Sequence, residues 1–221
     1  MSTPTCALCG IRPASTREHV PSKSLFPQPR PDDLITVPAC ADCNQGTQKS
    51  DEYFRKTLAL IVEPEPSAAL EQIRPTVTRA FARPEEAGLF REFAERFQFA
   101  ALEGRTVVQP VIKPDSRRLN NVVGKHAVGL YYAITGRPLP PSWGMIVLPL
   151  RWIDRIPQED RPHWEQVLVA SAGGVRRSVG DGGVFRFALR VADDNSHGFV
   201  ATIQYFKNFT YVVRSYERST A

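Results

Sequence analysis

Four cysteines fall within the first 43 residues, spaced Cys6-x2-Cys9 and Cys40-x2-Cys43 with thirty residues between the pairs. A two-residue gap turns both thiolates of a pair toward one point. Two such turns complete a tetrahedral set, the arrangement of a structural zinc site. Gly10 follows the first pair and Asn44-Gln45-Gly46 the second, and all are turn-friendly. Disulfides are the competing use, but a cytosolic chain keeps its thiols reduced and a two-residue gap is awkward for one. Four thiolates fill the coordination sphere, so the ion would brace the chain and would not activate water. A segment of roughly sixty residues builds little core alone and gains from such a brace. Between the pairs lies Glu18-His19, which holds the only histidine of the first hundred residues.

The pieces "REHVPSKSLF", "DDLITVPAC" and "CADCN" follow one another in that order. They resemble the HNH, or ββα-metal, endonuclease family. Its members carry an acidic–His pair with a proline soon after, then a loop, a short strand and a C-x2-C-N signature that opens a helix. Many of them frame these pieces with two cysteine pairs. The resemblance spans about residues 5–60. It implies a zinc-braced nuclease that hydrolyses phosphodiester bonds in nucleic acid, with DNA the expected partner. It implies His19 as general base, and Glu18 and Asn44 as ligands of a catalytic Mg²⁺ or Mn²⁺.

Elementary chemistry runs beside the resemblance. Phosphodiester hydrolysis needs an activated water and neutralisation of the phosphate charge. A histidine of ordinary basicity accepts a proton near neutral pH. Side chains alternate along a strand, so Glu18 points away from His19. Asn44 is fixed by the cysteine beside it, and its amide oxygen with a carboxylate suits a hard cation. Lys23 and Lys49 are candidate phosphate contacts, each with a solvated lysine as the plain alternative. Asn44 has a plain alternative too, as a turn residue.

The chain departs from the family in having Glu18 where aspartate is commoner. The middle asparagine has no obvious counterpart in a loop with Pro27, Pro29 and Pro31, and Asp32 or Asp33 is the nearest substitute. Two other readings stay open. One is a non-catalytic zinc module that binds nucleic acid or protein. The other is a degenerate nuclease that keeps only the fold.

Bulk composition fits a globular protein of 221 residues with a net charge of +5. That balance favours a polyanion but does not demand one. Residues 1–65 carry 7 Lys/Arg against 8 Asp/Glu, so the excess lies in residues 66–221. No apolar run is long enough for a bilayer, and no membrane partner is expected. The N-terminus lacks the basic and apolar parts of a signal peptide, so the expected location is cytoplasmic. A single site cuts one strand at a time. Double-strand breaks would need two copies, as in a homodimer, or two events.

The elements that must position these residues divide near "EPEPS". Residues 1–65 form the expected nuclease module. Residues 66–221 read as an α+β domain of unassigned role in DNA targeting, oligomerisation or regulation. A helix capped by Ser50 carries Phe54, Leu58, Ile61 and Val62 at helical spacing. Two helices follow over 67–103, the second burying Leu89, Phe90, Phe93 and Phe97. Residues 115–136 form the clearest helix, capped by Asp115 and stopped by Gly136, with His126 a packing residue. "WGMIVLPL" reads as a buried strand, 157–172 as a helix and "GDGG" as a turn. The remaining chain reads as an antiparallel meander with Phe185, Phe187, Leu189 and Val191 on one face. Arg186 and Arg190 face the other way and Arg176 and Arg177 precede them. They are either a DNA-facing surface or an ordinary solvent face.

Overall fold

Alternating inward residues build a short antiparallel pair, β1 (Thr16–Val20) against β2 (Ile35–Ala39), with Glu18 opposite Val37 and His19 opposite Thr36. Two helices follow, α1 (Ala41–Gln45) and α2 (Gln48–Leu60). The computed structural model describes residues 3–61, 66–101, 108–180, 183–194 and 196–219. Most of the "EPEPS" boundary and the centre of "GDGG" lie outside them. The chain is a mixed α+β structure with antiparallel sheets.

Next come α3 (Ala68–Ala80), α4 (Ala87–Glu95), a hairpin of β3 (Phe97–Ala101) with β4 (Val108–Ile112), and α5 (Ser116–Thr135). The Asp115 carboxylate caps α5 by accepting from the Arg118 N–H at 3.1 Å, and Gly136 ends it at φ +68°. Beyond lie β5 (Trp143–Pro149), α6 (Arg161–Ala172), β6 (Val175–Val179), β7 (Phe185–Val191), β8 (Phe199–Tyr205) and β9 (Phe209–Glu217). Strands β7 to β9 form the expected meander, β6 adds an unexpected strand beside β7, and β5 returns to pair with β9, giving the order β5-β9-β8-β7-β6.

Phe185, Leu189, Ala201, Ile203 and Val213 pack on the Val122, Val123, Ala127 and Leu130 face of α5. The opposite face of the sheet meets Trp164 and Val167 of α6 through Val212. Val20, Val37, Phe54 and Leu58 belong to the same core as α5 and the sheet. Packing therefore runs across the sequence boundary expected near residue 65.

Three local expectations are corrected. Helix α2 starts at Gln48, two residues before the expected Ser50 cap, and its first-turn Asp51 is buried instead of solvated. The helix expected to bury Phe97 ends at Glu95, since residues 97–101 find a strand partner in 108–112. Phe97 is 44% exposed and Phe90 54% exposed. Strand β5 is a half-exposed edge, with Ile146 45% exposed, because only β9 borders it. His126 is fully buried with Nδ1 2.7 Å from the Tyr205 hydroxyl.

Helix α5 approaches β1 through Gly129, where an added Cβ would lie 2.5 Å from Val20 Cγ2. Valine is stiff at χ1 and cannot yield cheaply. At Gly124 an added Cβ meets the flexible end of Met145 at 3.3 Å and Val147 Cγ2 at an ordinary 3.9 Å. Gly129→Ala should therefore lower unfolding stability by about 1–3 kcal/mol through overpacking, despite alanine's helix preference. Gly124→Ala should stay within about 1 kcal/mol of the parent or gain stability. Paired denaturant titrations check this, and equal behaviour of the two variants would refute the close approach.

Candidate functional site

The two cysteine turns meet as their spacing requires. The Cys6 N–H donates to Arg12 O at 2.8 Å and the Gly10 N–H to Cys6 O at 2.9 Å. Gly10 takes φ +66°, and a Cβ there would strike Leu139 O at 2.7 Å. The second turn opens α1, with the Asn44 N–H donating to Cys40 O at 3.1 Å. The four cysteines are free of disulfides, and their sulfurs all lie within 4.8 Å of one another. Sulfurs about 2.3 Å from a tetrahedral centre stand about 3.8 Å apart, so the set fits a metal ion such as zinc. Burial raises Cys6 and Cys43, whereas at Cys9 and Cys40 the N–H groups of the turns outweigh burial and lower the thiol, Cys9 to about 6, so the protons a metal would displace are held unevenly across the set. Arg12 adds a guanidinium 3.7 Å from the Cys43 sulfur and pairs with Asp42.

Strand β1 splits the Glu18-His19 pair. Glu18 lies with Val20 on the buried face, and His19 is half-buried beside exposed Arg17 on the other. Arg17 donates to the Thr36 hydroxyl at 2.7 Å, and Thr36 is the cross-strand partner of His19. Burial lowers the basicity of His19, and the charges of Lys23, Arg30 and Arg17 lower it further. Its imidazole is thus held neutral and free to accept a proton. Arg30 reaches back to donate to Lys23 O at 3.2 Å.

Asn44 stands behind this strand. Its amide nitrogen donates to the Thr16 hydroxyl at 3.0 Å and to Arg17 O at 3.1 Å. Its amide thereby ties the turn after Cys43 to the strand that carries His19. Asp33 does something else: its carbonyl and carboxylate engage Arg177 at 2.8 and 3.7 Å. Asp32, Lys23 and Lys49 are exposed.

Glu18 meets a residue that its local sequence does not announce. Lys125, from the middle of α5, places its ammonium 3.0 Å from Glu18 Oε1, 2.8 and 2.6 Å from the two Asp51 oxygens and 3.1 Å from Thr47 Oγ1. The three charged side chains are only 8%, 7% and 10% exposed for Lys125, Glu18 and Asp51. Burial raises the pKa of both acids, and Lys125 opposes that rise. The oxygen set suits a hard cation, and an ammonium fills it. The Mg²⁺ or Mn²⁺ expected between Glu18 and Asn44 does not fit this arrangement. Glu18 is committed to Lys125, and Asn44 turns its amide nitrogen to β1. Among the described residues, the cysteines are the only group of three or more His, Cys, Asp or Glu side chains gathered closely enough to hold an ion. A cleft of about 570 Å³ reaches Thr47 and Lys125 from the side of Asn121 and Ile146, and its walls do not include Glu18 or His19.

No helix among the described residues is long and apolar enough to cross a membrane. A comparison with protein-family models, curated proteins and solved structures finds no match.

Lys125→Met should cost about 3–5 kcal/mol at neutral pH, because it leaves two buried carboxylates facing each other. Adding Glu18→Gln should recover part of that. Without the ammonium, both carboxyls rise further above their unfolded values, so the folded state binds protons that the unfolded state releases. The variant should therefore be most stable in acid and lose stability as pH rises through the folded-state pKa values. Thermal unfolding from pH 4 to pH 8 measures this, and a loss independent of pH would rule out carboxylate repulsion.

Proposed function

We propose that the chain is a zinc-braced endonuclease of the HNH type, hydrolysing phosphodiester bonds in nucleic acid, with DNA the expected substrate. One observation carries the reading. A neutral, half-buried His19 sits on the outer face of a strand pair closed by a four-thiol cluster, among the cations Arg17, Lys23 and Arg30. The zinc ion braces the two cysteine turns. It thereby fixes Asn44 and, through Asn44, the strand that carries His19.

The chain's own groups divide the work. His19 takes a proton from the attacking water, since its lowered pKa leaves the imidazole unprotonated near neutral pH. Arg17, Lys23 and Arg30 offset the charge that builds on the phosphate. Lys49 is an outlying phosphate contact. No step is routed through Mg²⁺ or Mn²⁺, since Glu18 belongs to the buried ion network. That same engagement of Glu18 favours a second reading, in which the surface binds nucleic acid without cutting it.

Plasmid cleavage by the parent chain and His19→Ala decides between them, once both are shown to hold one zinc per chain. The parent should cut, and His19→Ala should lose about 100-fold or more. Equal cutting by both would remove His19 from the chemistry, and binding without cutting would leave the second reading.

The pH profile gives an independent check. The acid limb of the cleavage rate should lie below the ordinary histidine value. Arg30→Ala removes a cation that disfavours protonated His19, so its acid limb should move to higher pH. An unmoved limb would show that Arg30 does not act on His19.

A further inference from the structure

The sheet carries a second basic surface that the chemistry at His19 does not use. Arg176, Ser178, Arg186, Thr202 and Gln204 share the outer face of β6, β7 and β8. Their cross-strand pairings set this: Ser178 stands opposite Arg186 and Arg186 opposite Gln204, while Arg176 and Thr202 both pair with Ala188. With Arg177 they line a groove of about 510 Å³, and among the described residues no carboxylate lines it. The groove begins where α6 ends, since the Arg176 guanidinium donates to Ala172 O at 2.8 Å and Ser171 of α6 lies 2.6 Å from the Thr202 hydroxyl. Arg186 is exposed and makes no hydrogen bond or ion pair among the described residues. Arg190, expected in the same set, is instead paired with Asp193 at 3.0 Å.

This groove adjoins the loop beside His19. Arg177 donates to Asp33 O at 2.8 Å on the approach to β2. Gly180, just past β6, packs against Phe26 and Pro31, where a Cβ would lie 3.1 Å from the Phe26 ring. The loop between these contacts carries Arg30, one of the cations around His19. Cations thus stand on both sides of one proline-rich loop, Arg17, Lys23 and Arg30 around His19 and Arg176 and Arg186 on the sheet, while Arg177 between them is paired with the Asp33 carboxylate at 3.7 Å.

We propose that the Arg176–Arg186 groove binds the phosphate backbone of the nucleic acid whose bond lies at His19, so that the five-stranded sheet holds the substrate. A row of guanidiniums with hydroxyl and amide groups between them, and no acid among them, matches a ligand of repeating negative charge. Diagonal neighbours on adjacent strands stand about 7–8 Å apart, which lets Arg176 and Arg186 take neighbouring phosphates. The inference rests on the nucleic-acid reading above and adds where the polymer lies.

The test measures anisotropy of a labelled DNA duplex against salt in the His19→Ala chain, which keeps the duplex intact. Three forms of that chain are compared, carrying Arg176→Ala with Arg186→Ala, Arg190→Ala alone, or neither. Zinc content and melting temperature confirm that each is folded. The double variant should weaken binding about tenfold or more, and each lost phosphate contact should flatten the plot of log affinity against log salt by about 0.9. Arg190→Ala should bind like its parent. Unchanged affinity and slope in the double variant would overturn the groove. If plasmid cleavage by the chain with His19 intact persists in that case, the nuclease reading survives alone. Absence of both binding and cleavage in the parent would overturn both. Loss confined to binding of anionic lipid vesicles would also overturn the groove, by assigning the arginines to a membrane.

Discussion

The Lys125 ammonium is the constraint around which the N-terminal segment is arranged. Two acidic side chains and one lysine share a space almost closed to water, where burial raises the pKa of both acids and the ammonium opposes that rise. Such a group is tolerated only when its hydrogen bonds are satisfied, and here four oxygens from β1, α2 and the turn before α2 surround one nitrogen. The contact fixes the phase of β1. With Glu18 drawn inward, period-two alternation puts His19 on the outer face. It also ties α5, more than a hundred residues later in the chain, to the base of the cysteine turns.

The brace and the core act on the same segment from opposite sides. The thiol cluster gathers Cys6, Cys9, Cys40 and Cys43 with little apolar packing beyond Leu8 and Ala39. The apolar side of β1, β2 and α2 instead leans on α5 through Val20, Val37, Phe54 and Leu58. Gly129 and Gly10 mark two close approaches, one to Val20 and one to the Leu139 carbonyl. A metal ion could therefore order the turns while α5 supplies the surface on which the strand pair lies flat. Each makes up for what a short segment lacks.

What could be read from the sequence follows from how local each cause is. The cysteine turns, the Asp115 cap and the Gly136 stop are set within a few residues, and the structure has all of them. The meander is legible because alternation is a local pattern. Lys125 carries no such signal. It looks like any helical lysine, and its partners lie 74 and 107 residues away. Asp51 resembles an ordinary first-turn acid for the same reason. Phe97 misleads in the opposite way, since Phe93 and Phe97 keep helical spacing but residues 97–101 gain a strand partner beyond the reach of that pattern.

Charge is sorted across the two-stranded sheet, and this sorting decides what the outer face can meet. Residues 1–65 are nearly neutral in sum, yet their acids Glu18 and Asp51 are buried and held by Lys125, a cation from elsewhere in the chain. Arg17, Lys23 and Arg30 are left facing solvent around His19. A count of charges alone hides this, because it weighs a buried, neutralised carboxylate like an exposed one. The charges that act on His19 are those of Lys23, Arg30 and Arg17, all positive. They lower the basicity of the imidazole and attract anions by the same physics. A group kept neutral by neighbouring cations stays available as a base when a phosphate arrives, and the arriving charge then makes it more basic as the proton is taken.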